Sequence, residues 1–351
     1  MKTSAVAGPV ARAALGLGLL VTLVLAGCGG STAASTSPGA TVAPSPSASP
    51  GTTPLPAPTV AGTIAFTRYD EAADDYDVCV VNTDGTGLKV LAGGKDWAMY
   101  PRWSPDGSRI VYYQAVAGGD PQHVWVVNAD GSGKKELTVE APGDFLARNF
   151  WPSWSPDGKR IVFGRMMRFE PVARDALFIM NADGSGLRNV TPTSIPGVNA
   201  NDYWPAWGED GRITFYRQQA DDPTVLSRFG VDPDGSGLEL LTEVAGSTAD
   251  GPWWKYELAA SPDGKSVVVN DVEADRLVVR GDGGEVVLLE PITAYAEAPV
   301  LDAAWSPDGK ALVIAGQSEG GLTRIYIVNA DGTGLSQVPG VDAAMEPSWR
   351  P

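Results

Sequence analysis

Six residues at equivalent places in this sequence have the chemistry of a binding site. Three positions ahead of a repeated tryptophan, successive copies carry Tyr100, Trp151, Trp204, Glu257, Asp302 and Glu346. In copy order these are three aromatics followed by three acids. Aromatic faces attract cations and carboxylates pair with them. The six together are therefore expected to hold a cationic or amphipathic ligand, such as a peptide segment. Paired carboxylates can also cleave glycosidic bonds, so a carbohydrate-active or glycan-binding protein is the alternative reading.

Other catalytic constellations cannot be assembled from these residues. The sequence has one histidine, His123, and no Gly-x-Ser-x-Gly elbow, so a Ser-His-Asp arrangement is not available. The same count excludes a transition metal held by several histidines. The expectation is a chain that is not an enzyme and carries no cofactor. Asp232-Pro233-Asp234-Gly235-Ser236-Gly237 opens like a calcium loop, but it lacks the downstream glutamate and fills a turn slot found in every copy. Asp70, Glu71, Asp74, Asp75 and Asp77 read as solvated surface, with a calcium or basic-partner site as the alternative. A formal net charge of −16 argues against nucleic acid and favours cationic partners. A monomer is expected.

The elements that must position these residues are repeats. Ser153-Trp154-Ser155-Pro156-Asp157-Gly158-Lys159-Arg160-Ile161-Val162-Phe163 returns around Trp103, Ala260 and Trp305, in worn form at Trp207, and truncated at Trp349. A second phrase, Asn181-Ala182-Asp183-Gly184, recurs at a period of about fifty residues, six times over. One unit reads as four strands, Trp151–Ser155, Arg160–Arg165, Ala176–Asn181 and Leu187–Thr191, rich in branched and aromatic residues and separated by turn residues. Pro, Asp and Gly suit tight turns for separate reasons: a preset φ, a side chain that bonds its own backbone, and access to left-handed backbone. Four-stranded sheets with two apolar faces satisfy one another by radial stacking. The expected fold is an all-β, six-bladed β-propeller of four-stranded antiparallel blades over residues 62–351. Gly62 to Arg68 matches a second strand without a first, and Glu346 to Pro351 a first without a second. These two are expected to pair and close the ring. The tryptophans of the repeat are then structural, with Trp253 or Trp254 filling the space left by Ala260. The alternate connections put both turn phrases on one face and the longer loops on the other.

The W-S-P-D-G-K-R-I-V-F and N-A-D-G-S-G-L phrases resemble the WD40-like repeat of TolB-type six-bladed β-propellers. That resemblance implies an envelope protein whose propeller binds protein or peptide partners at one mouth. Similar propellers also precede serine peptidase domains. The chain departs from TolB in its front end, where a lipobox and stalk stand in place of an N-terminal α/β domain. Lys2 and Arg12 precede an apolar run, Ala13 to Ala26, too short for a membrane span. The run leads into Leu25-Ala26-Gly27-Cys28, which resembles the bacterial lipobox, so residues 1–27 read as a lipoprotein signal and Cys28 as the lipidated residue. Residues 28–61 contain Ser, Thr, Pro, Ala and Gly without charge and read as a disordered stalk. The expected location is outside the cytoplasm, anchored by lipid to the membrane. Cys79 falls in a slot that is apolar in every copy and is expected to be a buried small hydrophobe.

Overall fold

Runs of β-branched and aromatic residues between Gly- and Asp-rich turns become antiparallel strands in the computed structural model. It describes residues 60–351 apart from 117–120, 139–147, 170–171, 192–199, 209, 220–225, 245–256, 272–273, 291–301 and 318–322. The unit read as four strands is found at Arg148–Trp154, Arg160–Phe169, Val172–Asn181 and Arg188–Asn189. Its two middle strands run several residues longer than their apolar cores, because the hairpin continues in register from Asn181↔Arg160 to Val172↔Phe169. Successive strands pair in the order in which they occur, and the described strands group in fours along the chain, as the repeats require. Four groups are separate sheets. Two others share one eight-stranded sheet, joined by a single parallel pair, Gln122↔Arg148.

Chain ends meet as the orphan strands imply. Ala344–Trp349 pairs antiparallel with Thr63–Asp70, with Ile64 opposite Trp349 and Arg68 opposite Ala344. Beyond the ladder, Arg350 N–H donates to Thr63 O at 2.9 Å. The all-β architecture of antiparallel four-stranded blades, closed by the first and last strands, is the one expected from the sequence.

Alternation along each strand explains how the sheets stack. In a strand, neighbouring side chains point to opposite faces. Ile64 and Phe66 join Val313, Ile327 and Trp349 on one side, while Ala65 joins Val80, Ile110 and Tyr112 on the other. Likewise Ile161 and Phe163 pack with Val111 and Val126, and Val162 packs with Ile213 and Phe215. The strands Thr63–Asp70, Arg109–Ala115 and Arg160–Phe169 are therefore each buried on both faces between neighbouring units.

The repeated polar phrases stitch this stack. Asp106 Oδ1 accepts from Ser104 Oγ at 2.6 Å and from Ser108 N at 3.0 Å, and Gly107 turns at φ 64°. Those donors hold the Asp106 carboxyl down at about 2. Asp157, Asp263 and Asp308 repeat the arrangement. The two turn types lie on one face, since Ala129, Ala182 and Ala330 donate their N–H groups to Ser108, Lys159 and Lys310. Lys89 and Lys135 each reach the turn of the following unit, donating to Asp130 O and Asp183 O. Arg188 does the same to Pro233 O. Tryptophans complete the seams: Arg109 lies 4.7 Å from the Trp154 ring and Arg160 4.8 Å from Trp207. Trp103, Trp154 and Trp349 are buried, which supports a structural role. Trp253 and Trp254 lie outside the described residues.

Candidate functional site

The first strand of every unit but one carries a break in its ladder or opposite it. Register shifts occur at Met99/Arg102, Phe150/Ser153 and Tyr203/Ala206, and opposite Glu346 between Ala65 and Thr67. The cause is in the sequence: Tyr100, Trp151, Trp204 and Glu346 are each followed by proline. Proline has no N–H for the ladder, and a bulge re-aims the residue beside it. All four take left-handed backbone, with φ of 60°, 54°, 51° and 56°. Non-glycine residues rarely hold this conformation, and where they do the surroundings must stabilise it. Asp302, followed by alanine, pairs regularly with Ala315 and has no such twist. Glu257 pairs with Val269 at the start of its strand, and its side chain lies outside the described residues.

Five of the six expected residues form one connected cluster. Glu346 Oε2 accepts from Thr67 Oγ1 at 2.6 Å and from Tyr100 N at 2.8 Å. A side-chain hydrogen bond joins Tyr100 to Trp204, and the Trp204 and Trp151 rings lie 5.4 Å apart. Phe150, Tyr203 and Tyr216 extend the aromatic contact, and Tyr113 stacks on Tyr100 at 6.0 Å.

A seventh residue, Arg102, went unnoticed in the sequence. Its guanidinium lies 5.3 Å over the Tyr100 ring and 3.4 Å from Asp302 Oδ2, and it also donates to Pro101 O at 3.0 Å. The signal was available. Two residues past the site position the other copies have Ser153, Ala206, Ala259, Ala304 and Ser348, and only this one has a cation.

Burial dominates the electrostatics. It pushes the Glu346 carboxyl up to about 7, against the two hydrogen bonds that favour its charge. Asp302 is raised by the same cause, with Arg102 opposing. Beside the aromatic strip, Arg217 grips Asp202 through two bonds of 2.7 and 2.9 Å. Buried Asp175 is pushed up to about 6, first by desolvation and then by Asp202.

The remaining candidates fall into ordinary surroundings. Asp234 Oδ1 accepts from Ser236 N and Oγ, closing a turn like its counterparts in the other units. In the acidic run Asp70 caps Ala72 and Ala73, Asp74 accepts from Tyr69, and Asp77 pairs with Arg68 at 2.8 Å; Asp75 and Asp77 are buried in their strand, against the solvated surface expected for the whole run. Among the described residues no group of three potential ligands stands ready for a metal ion. His123 contacts Thr138 O and Glu136. Cys79 is buried, and burial pushes its thiol up to about 12. Cys28 lies outside the described residues, among which no helix is long and apolar enough to cross a membrane.

Comparison with known proteins places this geometry in a family. A model described as the TolB beta propeller domain matches residues 59–351. The chain is similar to Dipeptidyl-peptidase 5 of Porphyromonas endodontalis, 28% identical over 195 residues, which are 53% of this chain and 24% of that protein. It is 32% identical over 130 residues to the Tol-Pal system protein TolB of Anaeromyxobacter dehalogenans, covering 37% of this chain and 26% of that one. The matches thus span about a quarter of the length of these relatives. The structure of TolB from Acinetobacter baumannii aligns with a TM-score of 0.60 at 19% identity, over 83% of this chain and 67% of that one. Kuenenia stuttgartiensis hydrazine synthase gives 0.61 at 13% identity, over 84% and 47%. Both show the fold.

One expectation is corrected by these relatives. The missing nucleophile motif led to the reading that the chain is not an enzyme. The likeness to a dipeptidyl-peptidase overturns it, because repeats of this kind occur within a peptidase and the missing motif does not set them apart. With sheets ordered in fours and the family model spanning residues 59–351, the chain belongs to the TolB beta propeller domain family.

Proposed function

We propose that this chain is an exported envelope protein, tethered by lipid on Cys28, whose propeller mouth holds a peptide segment of a partner protein. The observation that supports it most is the convergence of Tyr100, Trp151, Trp204, Asp302 and Glu346, far apart in sequence, into one bonded cluster. Four separate X-Pro bulges aim side chains at one place, and strained backbone gathers where a surface is used. One relative is by name a Tol-Pal system protein, which fits an envelope partner.

The test is capture from envelope extract with the intact chain as bait, compared with a Trp151→Ala/Trp204→Ala variant. A partner retained by the first and lost by the second is the expected result. A partner retained equally by both removes the mouth as the binding site. For the anchor, Cys28→Ser is expected to move the protein from the membrane to the soluble fraction. Unchanged membrane association would refute lipidation at that residue.

A further inference from the structure

The seams between units are not built alike. Ile161 and Phe163 pack on the unit before them and Val162 on the unit after. The same three places elsewhere hold Ile64, Ala65 and Phe66, or Ile110, Val111 and Tyr112, all fully buried. The pattern fails between two consecutive sheets. One contains Ile213–Gln219, Leu226–Val231 and Glu239–Val244, and the other Glu257–Ala260, Ser266–Asp271 and Arg276–Gly281. Since Ile213 and Phe215 pack backward, alternation turns Thr214 forward, a polar residue in an aliphatic place, and it is only half-buried. Val267 and Val269, the counterparts of Ile161 and Phe163, are half-buried as well. In the third strand, Leu177 and Ile179 are replaced by Arg228 and Gly230.

Three clamps that hold other seams are missing from this one. Trp154 donates from Nε1 to Arg102 O of the unit before and lies under Arg109, but here the tryptophan's place is taken by Ala260, which is exposed. Arg212, the counterpart of Arg109 and Arg160, turns back to Glu239 and Gly237 of its own unit. Lys89, Lys135 and Arg188 each reach a carbonyl of the next unit's turn, whereas their counterpart is Glu239, which as a carboxylate can only accept. The turns at Gly131, Gly184, Gly235 and Gly332 lie against Leu91, Leu137, Val190 and Val287 of the unit before, while a Cβ placed on Gly283 would meet nothing within 4 Å. The fifth turn is short, with Gly281 paired directly to Gly284. Leu241 is accordingly 41% exposed, where its counterparts Leu91, Leu137 and Val190 are at most 7%.

We infer that the ring gives way first at this seam, and not where its two ends are joined. The ends are the expected weak point, because no peptide bond links them. Yet Ala344–Trp349 forms a ladder with Thr63–Asp70, buries Trp349, and is followed by Arg350, which donates to Gly107 O at 3.0 Å and lies 5.1 Å over the Trp103 ring. Segments with few buried apolar contacts open at lower free energy than the whole molecule, and in stacked units the weakest interface sets where opening begins. Trp204 and Tyr216 belong to the sheet on the near side of the seam. Loosening there frees one end of the aromatic strip, so the seam is a hinge beside the candidate site. This holds whether or not that site takes a partner.

Native-state hydrogen exchange of the intact chain in low urea, read strand by strand by mass spectrometry, tests this. Only middle strands are compared, so that fraying of outer edges does not enter. Ile213–Gln219 and Ser266–Asp271 are expected to exchange at least about tenfold faster than Thr63–Asp70, Arg109–Ala115 and Arg160–Phe169. Thr214→Val restores the residue found at Val111 and Val162, and Ala260→Trp restores the tryptophan. Together they are expected to slow the two strands about tenfold while Thr63–Asp70 changes less than about twofold. Thr214→Val alone, too small a change to endanger folding, is expected to slow them about threefold. Faster exchange of Thr63–Asp70 than of the other strands, or the same rate in all five, would overturn the inference. So would exchange in Ile213–Gln219 and Ser266–Asp271 that neither substitution slows.

Discussion

Glu346 offers the sharpest test of this cluster, because its burial and its hydrogen bonds pull in opposite directions. Its carboxyl rises from an ordinary value of 4.5 to about 7, so the folded protein favours the protonated form. The corresponding stability is fully present below about pH 4.5 and is lost as pH climbs through about 7. At 1.36 kcal/mol per pH unit the full rise corresponds to about 3 kcal/mol. The side chain is only half-buried, and solvent screening reduces this to about 1–2 kcal/mol. Glu346→Gln keeps an oxygen to accept from Thr67 and Tyr100 and removes the ionisation. Urea unfolding followed by tryptophan emission is the assay. At about pH 5 the variant and the parent are expected to agree within about 0.5 kcal/mol. By about pH 8 the variant is expected to be more stable by about 1–2 kcal/mol. Asp175, itself pushed up to about 6, contributes a decline of the same sign to both proteins and cancels in the difference. Asp302 and Arg102 also face Glu346 and are common to both. Parallel curves, or a variant weaker than the parent at pH 8, would refute the account of Glu346 as a carboxyl held toward neutrality.

Other consequences follow from the same geometry. Removing residues 344–351 takes out the strand that pairs with Thr63–Asp70 and the buried Trp349, whose truncation alone is worth about 3–5 kcal/mol; thermal melting should drop steeply, and an unchanged melt would rule out closure by that strand. Gly184 turns at φ 90°, and a Cβ there would lie 2.8 Å from Leu137 O, so Gly184→Ala should cost about 1–3 kcal/mol in urea unfolding. A neutral result would mean that the turn relaxes freely. Cys79 should stay unreactive to a thiol reagent at neutral pH in a Cys28→Ser chain until denaturant is added, and rapid labelling of the native protein would contradict its burial. Arg217→Met leaves buried Asp202 without its partner and should destabilise by about 3–5 kcal/mol, whereas a change under about 1 kcal/mol would show Asp202 to be hydrated.

How much of this could be read from the chain depends on the range of the interaction. The fold was legible because its causes are local and repeated. Pro-Asp-Gly and Ala-Asp-Gly dictate turns at a fixed period, and alternation in Arg160-Ile161-Val162-Phe163 dictates two buried faces. Even the meeting of the ends follows from counting strands in the first and last copies. The six site positions were legible as equivalent places on that repeat, and the structure joins five of them. Their chemical state was not legible. By type alone Glu257, Asp302 and Glu346 look alike, yet Asp302 is matched by a cation 200 residues earlier and Glu346 is held by a hydroxyl 279 residues away. Asp302 and Glu346 are thus engaged by partners within the chain. The prolines carried more than was read from them: Pro101, Pro152, Pro205 and Pro347 mark which four of the six positions leave the ladder, and thus which side chains are turned toward one another. A repeat gives each copy the same backbone slot, and the exceptions within a slot, Arg102 among serines and alanines or Ala303 in place of proline, decide how the side chains of the different copies meet.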